Sequence, residues 1–386
     1  EAPPHFICDE TRKEMFNLRA RTQNIILAVL VLLAPTGAHL PMALAFSSSS
    51  FRSKSPQMQQ DQERASQYYP AFFESLPSLK DKTVVITGCS RGLGYITALT
   101  VAKKGGNVIM LSRSSEKAQE ALKQIKAVSS DSDDDDDTID RHHFVDCDLL
   151  SFDNVREACQ QVKRLTERTG IDVLCNNAGI MLQPDEASKD GYDITASTNM
   201  LSHFLITNEL LPALEKAASA SGDPSRVVIM SSASGYGRPA LNTRFFEPRG
   251  GNLGGARASY ERYHQTKLAN LVFTAALHDK LEYSNKPIHA LACTPGVCAT
   301  DLFVHATTVM NGKPAPKSMV ASVEDGSMAQ LQCIFGPNVK PGQLWGPSRN
   351  GALQCLAMEP PLILVDATSK QQIWETCEKA VGEFKI

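Results

Sequence analysis

The chain has 386 residues, of which 42% are hydrophobic and 21% charged, with a formal net charge of −3. This near-neutral balance argues against a surface built for nucleic acid or for an anionic membrane, and the length suffices for a large buried core. The ten cysteines include no C-x-x-C pair, and the nine histidines lack ligand spacing. The sequence therefore predicts reduced core thiols and no metal site.

The first 71 residues are predicted to precede the folded domain, which we place at residues 72–386. Met15 opens a stretch with two arginines, followed by ten apolar residues at 25–34, a run too short to span a membrane. With the Ser-rich, basic stretch after Phe46, this pattern resembles the bipartite plastid presequences of some algae. The sequence favours plastid targeting. The alternative is an N-terminal helix and linker that hold the protein at the endoplasmic reticulum membrane.

A buried parallel strand is predicted at residues 83–87, where all five residues are apolar or β-branched. A glycine turn with the pattern T-G-x-x-x-G-x-G follows, and then apolar residues at helical spacing. Such a turn lets the backbone approach a pyrophosphate closely, and the free N–H groups of the helix start bind it. The residues predicted to form this cofactor site are Thr87, Gly88, Ser90, Arg91, Gly92, Leu93 and Gly94.

The second predicted strand, at residues 107–112, ends directly before Arg113. In a dinucleotide-binding fold this position faces the adenosine ribose, where an acid binds the 2′-hydroxyl and a base accommodates a 2′-phosphate. Arg113 and Arg91 therefore favour NADP(H), and the alternative is that Arg113 is a solvated loop charge. The acidic run at 129–137 is predicted to be a mobile surface loop, since it lacks the spacing of a calcium site.

Further strands are predicted at 144–147, 171–175, 226–230 and 288–293. The fourth strand ends at an N-N-A-G turn, and a serine cluster at 231–234 follows the fifth. A helix predicted at 260–281 places Tyr263 and Lys267 on one face. A Lys ammonium beside a Tyr favours the phenolate, so this pair suits acid–base chemistry better than a lone Tyr, whose pKa is about 10.

The glycine turn, N-N-A-G, a Ser and Y-x-x-x-K occur in the order typical of the short-chain dehydrogenase/reductase family, which the chain resembles from about Lys80 onward. The run from Lys267 to Asn270 resembles the retinol-dehydrogenase-like branch, with Thr266 where that branch has Ser. The resemblance implies an α/β fold, a Rossmann-type doubly wound parallel sheet in a single catalytic domain.

The resemblance assigns catalytic roles to four residues. Ser232 would hydrogen-bond a carbonyl oxygen, and Tyr263 would protonate it. Lys267 would lower the Tyr263 pKa and bind the nicotinamide ribose. Asn199 would bend its helix around a water that continues the proton relay.

The resemblance also assigns further cofactor contacts. Asp148 would touch the adenine amino group, and a P-G-x-x-x-T run would cover the nicotinamide. The residues that match these family positions are Asp148, Leu149, Asn177, Ala178, Gly179, Tyr263, Lys267, Pro295, Gly296, Val297 and Thr300.

Three features of the site are less closely defined by the sequence. Ser231 and Ser234 are near alternatives to Ser232. The Gly-rich insertion at 237–259 is expected to be a loop over the active site rather than part of the core. Residues 302–343 are expected to form a variable substrate lid.

The sequence thus predicts an NADP(H)-dependent oxidoreductase that reduces the carbonyl of a small apolar substrate such as a retinoid, lipid or steroid, or oxidises the matching alcohol. One alternative is a pigment enzyme like the light-dependent protochlorophyllide reductases. The other is a non-catalytic scaffold that binds NADP(H). No nucleic-acid partner is expected, and contact with a membrane would be made through the N-terminus.

Overall fold

The computed structural model describes residues 64–128, 141–235, 240–337, 339–341, 344–347, 355–358 and 366–386. The predicted N-terminal segment comprises residues 1–71, and its part up to residue 63 lies outside these residues, as does the acidic run at 129–137. Among the helices that are described, none combines the length and the hydropathy needed to cross a membrane.

The described strands form one sheet of eight in the order β3-β2-β1-β4-β5-β6-β7-β8. The first seven strands are parallel, which confirms the predicted doubly wound sheet, and β8 runs antiparallel to β7. The carboxyl ends of β1, β4 and β5 meet at the centre of one edge. The strands are β1 Thr83–Thr87, β2 Asn107–Ser112, β3 His142–Asp146, β4 Val173–Asn176, β5 Ser225–Met230, β6 Ile288–Cys293, β7 Leu344–Pro347 and β8 Cys355–Met358.

Helices cover both faces of the sheet, because side chains alternate between the faces along each strand. In β1, Val85 belongs to the hydrophobic cluster on one face, whereas Val84 and Ile86 belong to the cluster on the other. The helices are α1 Tyr69–Ser75, α2 Gly92–Lys103, α3 Glu116–Ala127, α4 Phe152–Leu165, α5 Ser202–Ser221, α6 Ser259–Tyr283, α7 Asp301–Asn311, α8 Val323–Phe335 and α9 Ala367–Val381.

The structure corrects the expectation for the insertion at 237–259 and, at Val323–Phe335 only, the expectation for the lid at 302–343. In the insertion, Phe245, Phe246 and Leu253 are buried in the core cluster with α6 and α9, so its described part is not a loop separate from the core. In the predicted lid, α8 packs against α2 and the sheet. The Gly and Pro content of both segments concealed the few large apolar residues that fix them.

The chain is held against α8 before α1 begins. The Asp325 carboxylate accepts hydrogen bonds of 2.9 Å from the backbone N–H groups of Gln67, Tyr68 and Tyr69. Asp325 is 6% exposed and supplies the cap that α1 lacks from its own residues. A shortened protein should therefore begin upstream of Ser66, because a start at residue 72 removes this contact.

Candidate active site

The glycine turn after β1 requires its glycines for steric reasons. Gly88 and Gly92 have φ values of +66° and +60°, which favour glycine. A Cβ on Gly88 would lie 2.8 Å from Ala178 Cα. The N-N-A-G turn after β4 is therefore packed directly against the glycine turn.

Thr87 is fully buried and connects the glycine turn to the N-N-A-G turn by hydrogen bonds. Its Oγ1 accepts hydrogen bonds from the N–H groups of Asn177 and Ala178, each at 2.9 Å. The Asn177 side chain returns the contact by donating to the Thr87 carbonyl oxygen at 2.9 Å. Thr87, Asn177 and Ala178 thus shape the turn, as well as being residues predicted to bind the cofactor.

Gly94, in the first turn of α2, allows the closest approach. A Cβ there would lie 2.5 Å from both Asn177 Nδ2 and Gly88 O. We expect Gly94→Ala to destabilise the protein by about 1–3 kcal/mol through overpacking and to abolish dinucleotide binding. Thermal unfolding and cofactor titration measure the two effects.

Gly222→Ala is the matched control for Gly94→Ala. Gly222 ends α5 at φ +77°, and nothing lies within 4 Å of a Cβ placed there. This control should cost about 1 kcal/mol in backbone strain and leave cofactor binding unchanged. Normal cofactor binding by Gly94→Ala would contradict the described turn.

The residues predicted to face the adenosine ribose lie at the ends of β1 and β2. Arg113 is exposed directly after β2, and Arg91 is exposed in the glycine turn, where it pairs with Asp301 at 2.9 Å. The strand register also brings Asp146 opposite Ser112, and the Asp146 carboxylate accepts a 2.7 Å hydrogen bond from Ser114 N. An acid therefore lies nearer the ribose position than the sequence predicted.

Asp148 and Leu149, predicted to contact the adenine, follow β3 at the same edge of the sheet. Asp148 is half-buried, its carboxylate accepts a hydrogen bond from Leu150 N at 3.2 Å, and its backbone N–H donates to Asn154 at 2.6 Å. The Leu149 carbonyl accepts a 2.7 Å bond from Ser202. This loop is held in one shape by its own hydrogen bonds.

The segment predicted to cover the nicotinamide follows β6. Gly296 adopts φ +69°, and a Cβ there would lie 2.9 Å from Pro347. Val297 is 44% exposed beside the half-buried Pro295. The Thr300 side chain caps α7 by accepting a 3.3 Å hydrogen bond from Phe303 N.

Tyr263 lies near the start of α6 with only 5% of its surface exposed. Burial raises its pKa to about 12, and a hydrogen bond with the Ser232 side chain partly opposes that shift. The spacing to Lys267 predicts a lowered Tyr263 pKa instead. The Lys267 ammonium lies 5.8 Å from the centre of the Tyr263 ring, so in the protein alone the desolvation of the hydroxyl dominates.

The serines after β5 have different hydrogen-bond partners. Ser231 is 2% exposed and donates a 2.8 Å hydrogen bond to the Lys267 carbonyl oxygen. Ser232 is half-buried, and its Oγ accepts a 3.2 Å bond from Ser234 N. Ser232 and Ser234 both lie within hydrogen-bond reach of the Tyr263 side chain, whereas Ser231 is bonded to Lys267 O. Ser234 is buried and Ser232 is half-buried, so the structure excludes Ser231 and favours Ser232 as the more accessible hydroxyl.

Lys267 is buried one helical turn after Tyr263. Its Nζ donates a 3.0 Å hydrogen bond to the Met230 carbonyl oxygen at the end of β5, which also accepts from Asn270 at 3.0 Å. Burial lowers the Lys267 pKa to about 8. Two of the three ammonium hydrogens are left for groups in the site.

Asn199 lies in a π-helical turn, Ser197–Leu201, which leads into α5. Its Oδ1 accepts from Ile180 N at 2.8 Å, and its Nδ2 donates to Ile180 O at 2.9 Å. A π-turn interrupts the regular helical hydrogen bonds, as the expected bend in this helix requires. Asn199 is thereby fixed against the chain directly after N-N-A-G.

Gly179, the last residue of N-N-A-G, lies between the two polar side chains of the predicted relay. A Cβ placed on it would be 3.4 Å from Lys267 Nζ and 3.6 Å from Asn199 Oδ1. The absence of a side chain leaves space there for a small polar group such as a water. The structure therefore brings Ser232, Tyr263, Lys267 and Asn199 together, as the sequence predicted.

Two buried residues that connect this site were not predicted. Thr266 accepts a 3.0 Å hydrogen bond from Asn199 Nδ2 and donates to Tyr263 O at 2.7 Å. His203 Nε2 lies 2.9 Å from Thr87 Oγ1, and burial lowers the His203 pKa to about 3, so the ring is neutral. Thr266 was visible in sequence as the departure from S-K-L-A-N, whereas nothing in the sequence paired His203 with Thr87.

The residues present fit a dinucleotide. The first turn of α2 contains no acid and has no side-chain cap, so its N–H groups point toward the glycine turn without a side-chain acceptor. The described residues contain no group of three or more His, Cys, Asp or Glu placed to hold a metal ion. The site thus has the donors for a pyrophosphate and an acid–base pair beside it.

The burial of the charged Lys267 ammonium should lower the free energy of unfolding, and a substitution at this position tests that effect. Since the folded pKa of about 8 lies below the unfolded value of 10.5, the unfolded chain binds more protons between these pH values, and the penalty is complete below pH 8. We expect Lys267→Met to raise the free energy of unfolding at pH 7 by up to about 3 kcal/mol while removing turnover. This gain should vanish as the pH approaches 10.5.

Thermal unfolding at pH 7 and at pH 10 measures the effect, with the exposed Lys313→Met as the control. Equal stability of wild type and Lys267→Met at both pH values would contradict a desolvated ammonium at this position.

The fold and the site define a dinucleotide-dependent oxidoreductase. A family model described as short chain dehydrogenase matches residues 82–243. Retinol dehydrogenase 14 of Mus musculus is 30% identical over 315 residues, which cover 79% of this chain and 87% of that protein. The chain belongs to the short-chain dehydrogenase/reductase family, in its retinol-dehydrogenase-like branch.

Two further relatives agree with this assignment. Human polyprenol dehydrogenase is 32% identical over 229 residues, which cover 59% of this chain and 64% of that protein. A crystal structure of a protein from Mycobacterium paratuberculosis superposes with a TM-score of 0.61 at 28% identity, over 81% of this chain and 98% of that one.

Proposed function

We propose that the protein is an NADP(H)-dependent oxidoreductase that reduces the carbonyl of a small apolar substrate, or oxidises the matching alcohol. The proposal is carried by one observation: the hydrogen-bonded pair of Ser232 and Tyr263, with Lys267 and Asn199 behind it, lies beside the glycine turn at the carboxyl ends of the central strands. Ligands bind at this edge in doubly wound sheets.

Ser232 and Tyr263 act on the substrate oxygen. When bound, the dinucleotide supplies the hydride to the carbonyl carbon. The Ser232 hydroxyl donates a hydrogen bond to the carbonyl oxygen, and the Tyr263 hydroxyl transfers its proton to that oxygen. A Tyr263 pKa of about 12 in the protein alone keeps this proton in place at neutral pH.

Lys267 and Asn199 restore that proton and hold the site. The Lys267 ammonium, fixed by Met230 O, has hydrogens left for the nicotinamide ribose. A water beside Gly179 would connect Lys267 with the Asn199 segment, and protons reach Tyr263 along this path. The reverse oxidation uses the same groups, with Tyr263 as the base.

The preference for NADP(H) rests on Arg113 and Arg91, whose guanidinium groups suit a 2′-phosphate. The resemblance assigns the rest of the dinucleotide contacts, which these residues would make: Ser90, Leu93, Asp148, Leu149, Pro295, Gly296, Val297 and Thr300. Asp146 opposes the preference, so the balance between the arginines and this acid decides the cofactor.

An apolar substrate is supported by the surface next to the nicotinamide segment. Of the six large apolar residues that are exposed among the described residues, four lie between 297 and 319, namely Val297, Val309, Met310 and Met319. Exposed large apolar residues concentrated in one segment of the chain fit contact with an apolar partner or ligand. The relatives' names, retinol dehydrogenase and polyprenol dehydrogenase, indicate apolar alcohols for those proteins.

The test follows NADPH absorbance with purified protein and a panel of retinoid, lipid and steroid aldehydes and ketones, in the dark and in light, with NADH alongside. Oxidation of NADPH in the dark by one class of apolar carbonyl is the expected result. A requirement for light would favour pigment reduction instead. NADPH binding with no turnover of any panel member would favour a scaffold.

The N-terminal residues support a separate proposal on location. The basic, apolar and Ser-rich segments up to residue 71 suit delivery to a plastid, with anchoring at the endoplasmic reticulum membrane as the alternative. A fluorescent protein fused after residue 71 distinguishes the two destinations in an algal cell.

A further inference from the structure

Arg262, the residue immediately before Tyr263, is the largest fully buried side chain that carries a charge, at 1% exposure. Its guanidinium donates to Gly255 O at 2.7 Å and to Gln183 O at 2.9 Å. These two carbonyls belong to the Gly-rich insertion and to the segment that follows N-N-A-G. One side chain of α6 therefore joins two distant parts of the chain next to the catalytic Tyr.

Two buried carboxylates complete the network. Arg262 Nε lies 3.1 Å from Asp193 Oδ2, and Arg262 Nη1 lies 3.8 Å from Asp185 Oδ2. The side chains of Asp193 and Asp185 are 1% and 6% exposed. The charges are thus removed from water together and depend on one another.

Each carboxylate also holds backbone. Asp185 accepts hydrogen bonds from the N–H groups of Gly251, Leu253 and Gly255, at 3.0, 2.7 and 2.8 Å. This fixes the insertion directly before α6, a helix whose start has no side-chain cap of its own.

Asp193 accepts hydrogen bonds of 3.0 Å from Thr195 N and Ala196 N. It thereby caps the helical turn that continues into the π-turn with Asn199. Arg262 directly precedes Tyr263 in the chain. Its ion-pair partner Asp193 lies six residues before Asn199 in the chain.

A requirement for stability alone does not explain this arrangement. Replacing a buried ion-pair cluster by apolar side chains of similar volume is often neutral or stabilising, because the desolvation of the charges is expensive. The guanidinium does impose a direction, because its hydrogen bonds to Gly255 O and Gln183 O require a fixed planar geometry, and the two carboxylates hold its charge in place. Catalytic groups need positions held to within about 0.5 Å.

We propose that Arg262 is a positioning residue for the reaction, which sets the Tyr263 hydroxyl relative to Ser232 and Asn199 by linking α6 to Asp185 and Asp193. The proposal rests on the proposed function for its kinetic consequence, but the placement of Tyr263 is a property of the protein alone. Arg262 touches neither substrate nor cofactor in this account.

The test compares the full chain with Arg262→Met and Arg262→Lys, and with Arg257→Met as a matched control on the exposed side of the same insertion. The first readout is the NMR signal of Tyr263 in protein labelled with ¹³Cζ-tyrosine, assigned by its disappearance in Tyr263→Phe. This shift reports the hydrogen bonding of the hydroxyl and needs no turnover. The second readout is kcat and the KM for NADPH.

We expect Arg262→Met to move the Tyr263 signal and to lower kcat at least tenfold, with the KM for NADPH changed by less than twofold. Arg262→Lys should give a smaller change of the same kind, because an ammonium cannot reach all the acceptors. Arg257→Met should match wild type in both readouts.

A Tyr263 signal that stays at its wild-type position in folded Arg262→Met or Arg262→Lys would overturn the proposal, and so would an unchanged kcat in a protein that turns over. If wild type turned over nothing while the Tyr263 signal still moved, the proposed function would fail and the placement of Tyr263 by Arg262 would stand. If Arg262→Met does not fold, Arg262→Lys decides by the same two readouts.

Discussion

Tyr263→Phe should reduce turnover by about 10²- to 10⁴-fold, the range over which a positioned acid or base contributes to catalysis. The substitution removes only the hydroxyl, which is hydrogen-bonded with Ser232, and leaves the buried ring in place. Dinucleotide affinity and thermal stability should therefore stay close to the wild-type values. Steady-state kinetics and cofactor titration separate these effects.

Tyr260→Phe is the control for that substitution. The two rings lie 6.4 Å apart on the same helix, and Tyr260 is half-buried, so this substitution removes a neighbouring hydroxyl that has no assigned role in the reaction. It should retain activity within a few-fold. If Tyr263→Phe behaved like Tyr260→Phe, another group would have to supply the proton, and the site as described would be wrong.

The pH dependence follows from the state of the same hydroxyl. Because burial raises the Tyr263 pKa to about 12, the protonated donor is fully populated at neutral pH and below. Carbonyl reduction should keep its rate up to about pH 8, above which the Lys267 ammonium loses its proton and the rate should fall. Alcohol oxidation, which needs the phenolate, should accelerate as pH rises. The opposite trend in the two directions would contradict Tyr263 as the acid–base group.

Arg113→Asp should reverse the choice of cofactor. A hydrogen bond with a charged group contributes about 1.5–3 kcal/mol, so its loss, with a new repulsion between carboxylate and 2′-phosphate, should lower the NADPH to NADH ratio of kcat/KM about 100-fold. Arg113 lies exposed at the end of β2, so the fold should tolerate the change. Kinetics with both cofactors measure the ratio.

Asp146→Asn should shift the same ratio in the other direction. Its carboxylate lies beside the turn after β2 through the hydrogen bond to Ser114 N, and its charge disfavours a phosphate nearby. The surface substitution Arg249→Asp serves as the control for a general change in charge, since Arg249 pairs only with its neighbour Glu247 among the described residues. If neither Arg113→Asp nor Asp146→Asn changed the NADPH to NADH ratio of kcat/KM, the preference for NADP(H) would have no support from these residues.

The central fold was predictable because its signals are local. The residues of β1 are all apolar or β-branched, and the structure confirms the predicted bounds of β1, β2 and β6. The other predicted strands begin or end one or two residues away from the predicted bounds, because hydrogen bonding to the neighbouring strands, and not hydropathy alone, sets where a strand begins and ends. The antiparallel β8 was not predicted, because four residues carry too little pattern to distinguish a strand from a loop.

The order of motifs also predicted which candidate catalytic residues lie together, but the contacts that hold them depend on pairs of residues distant in sequence. Thr266 bonds to Asn199, 67 residues away in sequence, and Arg262 pairs with Asp193 across a similar distance. No local pattern marks such partners. The raised pKa of Tyr263 was equally hidden, since it follows from the burial of the hydroxyl rather than from the spacing to Lys267.

Predictions from composition were least accurate in segments where a few residues determine the structure, such as the insertion at 237–259. The insertion is rich in Gly and Arg, yet Phe245 and Phe246 fix it in the core, and Asp185 satisfies three of its N–H groups. An average over such a segment predicts a loop, whereas its individual aromatic residues predict packing.

The most direct test of the central claim is the transfer of label from deuterated NADPH. The purified protein is given NADPH carrying deuterium on one face or the other of nicotinamide C4, together with an apolar aldehyde, and the alcohol product is analysed by mass spectrometry. We expect deuterium on the carbinol carbon from one face only, and transfer of label by Tyr263→Phe only at the residual rate of that variant. Product alcohol without label from either face, or no alcohol from any apolar carbonyl despite bound NADPH, would contradict it.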